Sequence, residues 1–166
     1  MDRLVIIINN IRYFEYKFIS KVGSMLYLAS DHAGYKLKEI VKEFLGFLEV
    51  EYQDLGTNDD KSVDYPEYAN KLAKRMDKKK DKGILFCGTG GGICIAVNRH
   101  KGIRGIVGNN EHEVLLGRAH NDANVLCLGG RLIGENMAKK LVKIFLDTQF
   151  SKETRHKRRI RKLDKK

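Results

Sequence analysis

The chain has 166 residues, is 42% hydrophobic, has a mean hydropathy of −0.41 and carries a net charge of +11. A chain of this size and composition can bury one globular core, and no apolar run approaches the roughly 20 residues of a membrane span. The charge sits mainly in a tail: residues 152–166 hold nine Lys/Arg against two Asp/Glu, residues 1–24 hold four against two, and the remaining body carries only +2. Sequence-specific nucleic-acid recognition is not expected from such a tail, because residues 151–166 contain no aromatic apart from His156 that could stack on bases. The three cysteines fall in no C-x-x-C or zinc spacing, so disulfides are not expected and a reducing cytoplasm is the expected compartment.

Residues 1–24 read as an extension whose order the sequence does not specify. Its apolar run Leu4–Ile8 is too short for a signal-peptide core, and Met25 is the expected start of a domain over 25–166. From there the chain alternates. "MLYLAS" is a strand. Residues 34–48 are a helix, with Leu37, Ile40, Val41, Phe44, Leu45 and Leu48 on one face. "VEYQDL" is a second strand, followed by a polar loop over 56–65 and a helix over 66–77 that starts at Pro66. "GILFC" is a short, continuously apolar strand, as expected where both faces are covered. A helix over about 90–99, the strand "IRGIV", a helix over about 111–119 and the strand "NVLCLG" come next. A helix over 134–149 with Met137, Leu141, Ile144 and Phe145 inward, then a basic helix over 153–163, complete the chain. Strands alternating with helices imply parallel βαβ units, hence a doubly wound α/β sheet.

In such sheets ligands bind beyond the carboxyl ends of the strands. The strand-end loop "CGTGGG" (87–92) is therefore the first place to look. It is not a P-loop, which needs a Lys followed by Ser/Thr after the last glycine. Nor is it a dinucleotide fingerprint from Gly88, because Ile93 stands where glycine or alanine is required. Its exposed N–H groups can still hold negative charge, either a phosphate or an oxyanion that forms only during reaction. Cys87 ends the strand before that loop. Its position suits an activated thiolate and equally a small buried hydrophobe. Cys94 and Cys127, inside a helix and a strand, read as core. Among the histidines, His32 follows a strand end beside Asp31. His120 has amide and acid neighbours that could fix its tautomer or form a capping network. His100 and His112 read as surface, and His156 as part of the basic helix.

The ordered motifs "SDHAG", "DYP", "CGTGGGI", "GIR", "HNDANVL", "GGR" and "RHKRRI" resemble the type B ribose-5-phosphate isomerase family, which includes galactose-6-phosphate and allose-6-phosphate isomerases. The resemblance spans about residues 25–162. It implies a Rossmann-like three-layer fold with a five-stranded parallel sheet and a basic C-terminal helix. It also implies a homodimer or homotetramer with active sites at subunit interfaces and no metal or organic cofactor; no membrane partner is expected, since no apolar run is long enough to span one. By the same resemblance Cys87 is the base, His120 opens the sugar ring with Asp31 as helper, and Thr89 passes protons between O1 and O2. Gly88, Gly90, Gly91 and Gly92 contribute N–H groups to an oxyanion hole. Asn121 and Tyr65 contact the sugar, His32, Arg155 and Arg159 bind phosphate, and Arg131 reaches the phosphate from the neighbouring subunit. Gly91 replaces the larger apolar residue common in the family. The implied reaction is interconversion of ribose 5-phosphate and ribulose 5-phosphate through a cis-enediolate. The alternatives are a six-carbon sugar phosphate as substrate, or a non-catalytic sugar-phosphate-binding protein.

Overall fold

The computed structural model describes residues 5–8, 11–14 and 23–165. Within the extension, β1 (Val5–Ile8) pairs antiparallel with β2 (Ile11–Phe14), Val5 opposite Phe14. From residue 26 the elements follow as β3 (Leu26–Ser30), α1 (Tyr35–Phe47), β4 (Tyr52–Asp54), α2 (Tyr65–Arg75), β5 (Lys82–Cys87) and α3 (Gly91–Val97). Then come β6 (Gly105–Val107), α4 (Glu111–Asn121), β7 (Val125–Gly129), α5 (Glu135–Asp147) and α6 (Thr154–Leu163).

β3 to β7 form one parallel sheet in the order β4-β3-β5-β7-β6. The chain steps from β3 outward to β4 and returns to the other side of β3 as β5, so the switch point of the sheet lies between β3 and β5. The central strands β3, β5 and β7 are buried at every position except Lys82 at the start of β5, which accounts for their continuous apolar runs. Alternate side chains feed two cores. Leu28, Phe86 and Leu126 pack with α1 and α5 through Val41, Leu45, Leu141 and Phe145, and Val114 brings in α4. Tyr27, Ala29, Leu85 and Cys127 pack with α2 and α3 through Leu72, Ile93 and Val97. Helix layers on both faces of a five-stranded parallel sheet are the architecture expected from the sequence. No helix among the described residues is long and apolar enough to cross a membrane.

Three details differ from expectation. Met137 is 37% exposed, because the inward stripe of α5 runs through Ala138, Leu141, Val142 and Phe145 and leaves Met137 at its edge. Gly90 lies outside α3 as its left-handed N-cap rather than starting the helix. α4 continues past Ala119 through His120 and Asn121 to a left-handed C-cap at Asp122.

Candidate active site

At the switch point, the loops after β3 and β5 lie side by side, with the Asp31 N–H donating to the Phe86 carbonyl (3.1 Å). Cys87 closes β5 almost fully buried, at 4% exposure. The chain then turns so that the Gly90 N–H donates to the Cys87 sulfur at 3.1 Å. That turn needs φ +78° at Gly90, a conformation L side chains rarely adopt. The amides of Gly88 and Thr89 have no acceptor among the described residues, and Gly91 N–H donates to Thr89 Oγ1 (3.3 Å). The loop rests directly on β7: a Cβ on Gly129 would lie 2.7 Å from the Thr89 carbonyl carbon. Tyr65, the first residue of α2, lays its ring over Gly92, where a Cβ would come within 2.9 Å of it.

Around this loop stand three charged or titratable side chains. Asp31, 5% exposed, accepts the Gly34 N–H at 2.9 Å and so anchors the turn into α1. His32 Nδ1 is 3.2 Å from both the amide nitrogen and the carbonyl oxygen of Val63. Accepting from the amide leaves Nε2–H free as a donor, and a protonated ring can donate to the carbonyl instead. The Arg131 N–H donates to the Gly88 carbonyl (3.0 Å), and its guanidinium is 3.5 Å from where a Gly88 Cβ would be. The short turn after β7 sets Arg131 beside Gly88 of its own chain.

The remaining expected site residues lie elsewhere. In a parallel sheet every crossover helix runs from the carboxyl ends of the strands back to their amino ends. α4 therefore starts level with the glycine loop and delivers His120 and Asn121 to the opposite end, about 16 Å away for 11 helical residues. α6 packs on that end of α4: the Ser151 N–H donates to the Ala119 carbonyl (2.9 Å), and the His156 ring stacks on His120 with centroids 4.3 Å apart. Arg155 and Arg159 ride on the exposed side of α6, with Arg155 Nε paired to Glu153 (2.8 Å). The structure thus brings Asp31, His32, Tyr65, Cys87 to Gly92 and Arg131 together. It gathers His120, Asn121, Arg155 and Arg159 as a second group at the other end of the sheet.

The other cysteines behave as core groups. Cys127 is fully buried; burial first, then the neighbouring Cys94 thiol, holds the Cys127 thiol well above the ordinary thiol range. All three thiols are free. Among the described residues, no group of three or more His, Cys, Asp or Glu side chains is placed to hold a metal ion.

The comparisons with known proteins place the chain in a family. A family model described as Ribose/Galactose Isomerase matches residues 26–163. The chain belongs to the ribose/galactose isomerase family. Ribose-5-phosphate isomerase B of Escherichia coli is 40% identical over 131 residues, covering 78% of this isomerase and 87% of its relative. The crystal structure of a ribose 5-phosphate isomerase from Thermotoga maritima superposes with a TM-score of 0.82 at 46% identity, over 86% of this chain and 98% of that one. A Mycoplasma genitalium ribose-5-phosphate isomerase B with bound ribulose-5-phosphate gives 0.77 at 40% identity, over 86% and 95%.

Two groups escaped the sequence reading. Lys38 is fully buried within the apolar stripe of α1, and its Nζ donates to Asp54 (2.7 and 2.8 Å) and to the Thr57 carbonyl (2.7 Å). A lysine at a stripe position between Leu37 and Val41 was the available signal. His156 is the one buried residue of α6. No local pattern marks it, because its burial depends on α6 docking to α4.

Proposed function

We propose that this isomerase interconverts D-ribose 5-phosphate and D-ribulose 5-phosphate, in a site that a second copy of the chain completes. The observation that carries the reading is the Cys87 sulfur. It is held by the Gly90 N–H at the switch point, beside two unoccupied amides and the Arg131 guanidinium. A base with anion-binding donors around it is what proton transfer next to a carbonyl requires. The bound ribulose-5-phosphate of the Mycoplasma relative supports the sugar.

The steps follow from bond changes. His120 of the second copy protonates the ring oxygen while the Asp31 carboxylate takes the proton of the C1 hydroxyl, and the C1–O bond to the ring breaks to give the open aldehyde. The Cys87 thiolate removes the C2 proton, and the electron pair moves into a C1–C2 double bond, leaving an enediolate oxygen on C1. The Gly88 and Thr89 amides, with those of Gly90 to Gly92 nearby, surround that oxygen. The Cys87 thiol returns the proton to C1, while Thr89 relays the O2 proton to O1 as the C2 carbonyl forms. Arg131 and His32 of one copy, with Arg155 and Arg159 of the other, hold the phosphate. Arginine suits this role because its planar fork binds phosphate oxygens in pairs. The arrangement of α6 fits a helix that reaches another copy. It touches its own chain chiefly through α4 and leaves its basic face exposed. Ile95 of α3, 70% exposed near the glycine loop, adds apolar surface for the same contact.

The test is conversion of ribose 5-phosphate by the purified chain, together with deuterium exchange from solvent into C1 of ribulose 5-phosphate. Cys87→Ala is expected to lose both by roughly 10²–10⁴-fold while keeping its circular dichroism spectrum. His120→Ala is expected to lose conversion while retaining exchange, because the ketose is already open. A folded Cys87→Ala variant with parental exchange overturns the assignment of the base. A parent inert on pentose phosphates but active on hexose phosphates overturns the choice of sugar.

A further inference from the structure

Among the described residues the His120 imidazole makes no hydrogen bond; its recorded partner is the His156 ring, 4.3 Å away between centroids and tilted by 37°. That leaves both nitrogens available to substrate. It also means that no hydrogen bond sets the plane of the ring, so packing must do so. His156 is itself tightly held. It is 2% exposed, the one buried residue of its helix, and its Nδ1 lies 2.8 Å from the Ser151 hydroxyl. Ser151 in turn donates its N–H to the carbonyl of Ala119, the residue before His120. The constraints form a closed loop from Ala119 to Ser151 to His156 and back to His120.

We infer that His156, oriented by Ser151, is the positioning residue that fixes the plane of the His120 ring for opening the sugar. The inference rests on the reading of His120 given above. The charges around His156 are Glu153, Arg155 and Arg159 on its own helix and His120 on α4. Burial first, then His120 and the two arginines, hold His156 below the ordinary histidine range, against the opposing pull of Glu153. A neutral His156 donates or accepts through Ser151 and places no positive charge against the His120 ring. The flat aromatic face is therefore the feature that matters at position 156. Positive charge there would work against the acid step.

The division of labour on α6 supplies the test. Arg155 and Arg159 act on the phosphate and so on KM, whereas His156 acts on His120 and so on kcat. His156→Leu keeps the bulk and removes the flat ring. It is expected to lower kcat for ribose 5-phosphate by at least about tenfold, the scale of a modest misplacement of a catalytic group. KM should change little, and deuterium exchange into C1 of ribulose 5-phosphate should stay at the parental rate. His156→Phe, which restores a planar ring, is expected to recover most of the lost kcat. Ser151→Ala, which leaves His156 in place and frees it to turn, is expected to give an intermediate loss; it keeps the question open to test should the leucine variant misfold. Parental kcat in both His156→Leu and Ser151→Ala overturns the proposal. So does a parallel fall in kcat, exchange and phosphate affinity, which marks loss of α6 as a whole. His120→Ala run alongside separates the two readings. If it abolishes conversion while His156→Leu does not, the role of His120 stands and that of His156 falls. If His120→Ala keeps parental conversion, both fall.

Discussion

Gly90 and Gly91 are neighbours with opposite requirements. Gly90 sits at φ +78°, and a Cβ there would lie 3.1 Å from the Leu128 carbonyl carbon. Gly90→Ala is expected to cost about 1–2 kcal/mol from the left-handed conformation, with more for the contact, and to move the Gly90 N–H off the Cys87 sulfur. At Gly91 a Cβ would meet only Thr89 Oγ1, at 3.6 Å, an ordinary contact. Gly91→Ala is therefore expected to stabilise the folded state by about 0.4–1 kcal/mol, by narrowing the unfolded ensemble. The two denaturation midpoints in urea should move in opposite directions; a destabilised Gly91→Ala would show that the loop needs its freedom. Residue types at this site were legible in the sequence because each acts locally: a glycine for a turn, a thiol at a strand end. The partners that set their behaviour were not. Nothing in "CGTGGG" shows that Gly92 is bare because the Tyr65 ring lies on it, and nothing near His32 names Val63 as the group that holds its imidazole.

At the scale of elements, α1 and β4 are joined by a charge cluster built around the buried Lys38. Lys38 and Lys42 both reach Asp54, Glu39 closes the group, and Lys38 also holds the Thr57 carbonyl on the loop leading to Tyr65. Burial works against the charge of Lys42, but its bonds to Glu39 and Asp54 outweigh that and hold its ammonium above the ordinary lysine range. Burial likewise opposes ionisation of Asp54; the bonds from Lys38, Lys42 and the Gly56 N–H outweigh it and lower its proton affinity. Asp54 thus contributes stability above the ordinary carboxylate pKa of about 4 and loses it as pH falls through the lower folded value. Asp54→Asn should be less stable than the parent at neutral pH, and the gap should close below about pH 4. A constant gap across that range would contradict the pairing. Lys38→Met removes one partner of a buried pair and is expected to cost about 3 kcal/mol, near the low end for such a change because Lys42 still faces Asp54. Helix boundaries and inward faces were legible from periodicity, apart from Met137 at the edge of its stripe. Lys38 was hidden because a lysine in a helix ordinarily faces water, and only the approach of β4 makes it a core residue.

At the scale of the molecule, the direction of the sheet decides how the site is assembled. The sequence placed the "HND" segment just before a strand and the "CGTG" segment just after one. In a parallel sheet those are opposite ends, so the separation could be read from chain order alone. What could not be read was which arginine goes with which group, because Arg131 and the α6 pair differ only in where the chain carries them. The proposed pairing makes a sharp prediction. Cys87→Ala and His120→Ala chains, each inert in conversion, should regain activity when unfolded together and refolded. Mixed pairs then hold one intact site, and random pairing gives roughly a quarter of parental activity. No recovery at all would place both residues in one chain's site.

The stacking of His120 against its own α6, away from its own Cys87, has a further consequence for how output responds to synthesis. On the proposed pairing, a newly made chain carries a base with no ring opener and a ring opener with no base, and neither half turns over sugar alone. At chain concentrations below the dissociation constant of the pair, flux rises with the square of expression rather than in proportion to it. A cell making little of this protein would have almost none of its activity, and specific activity measured on serial dilution should fall along the same curve.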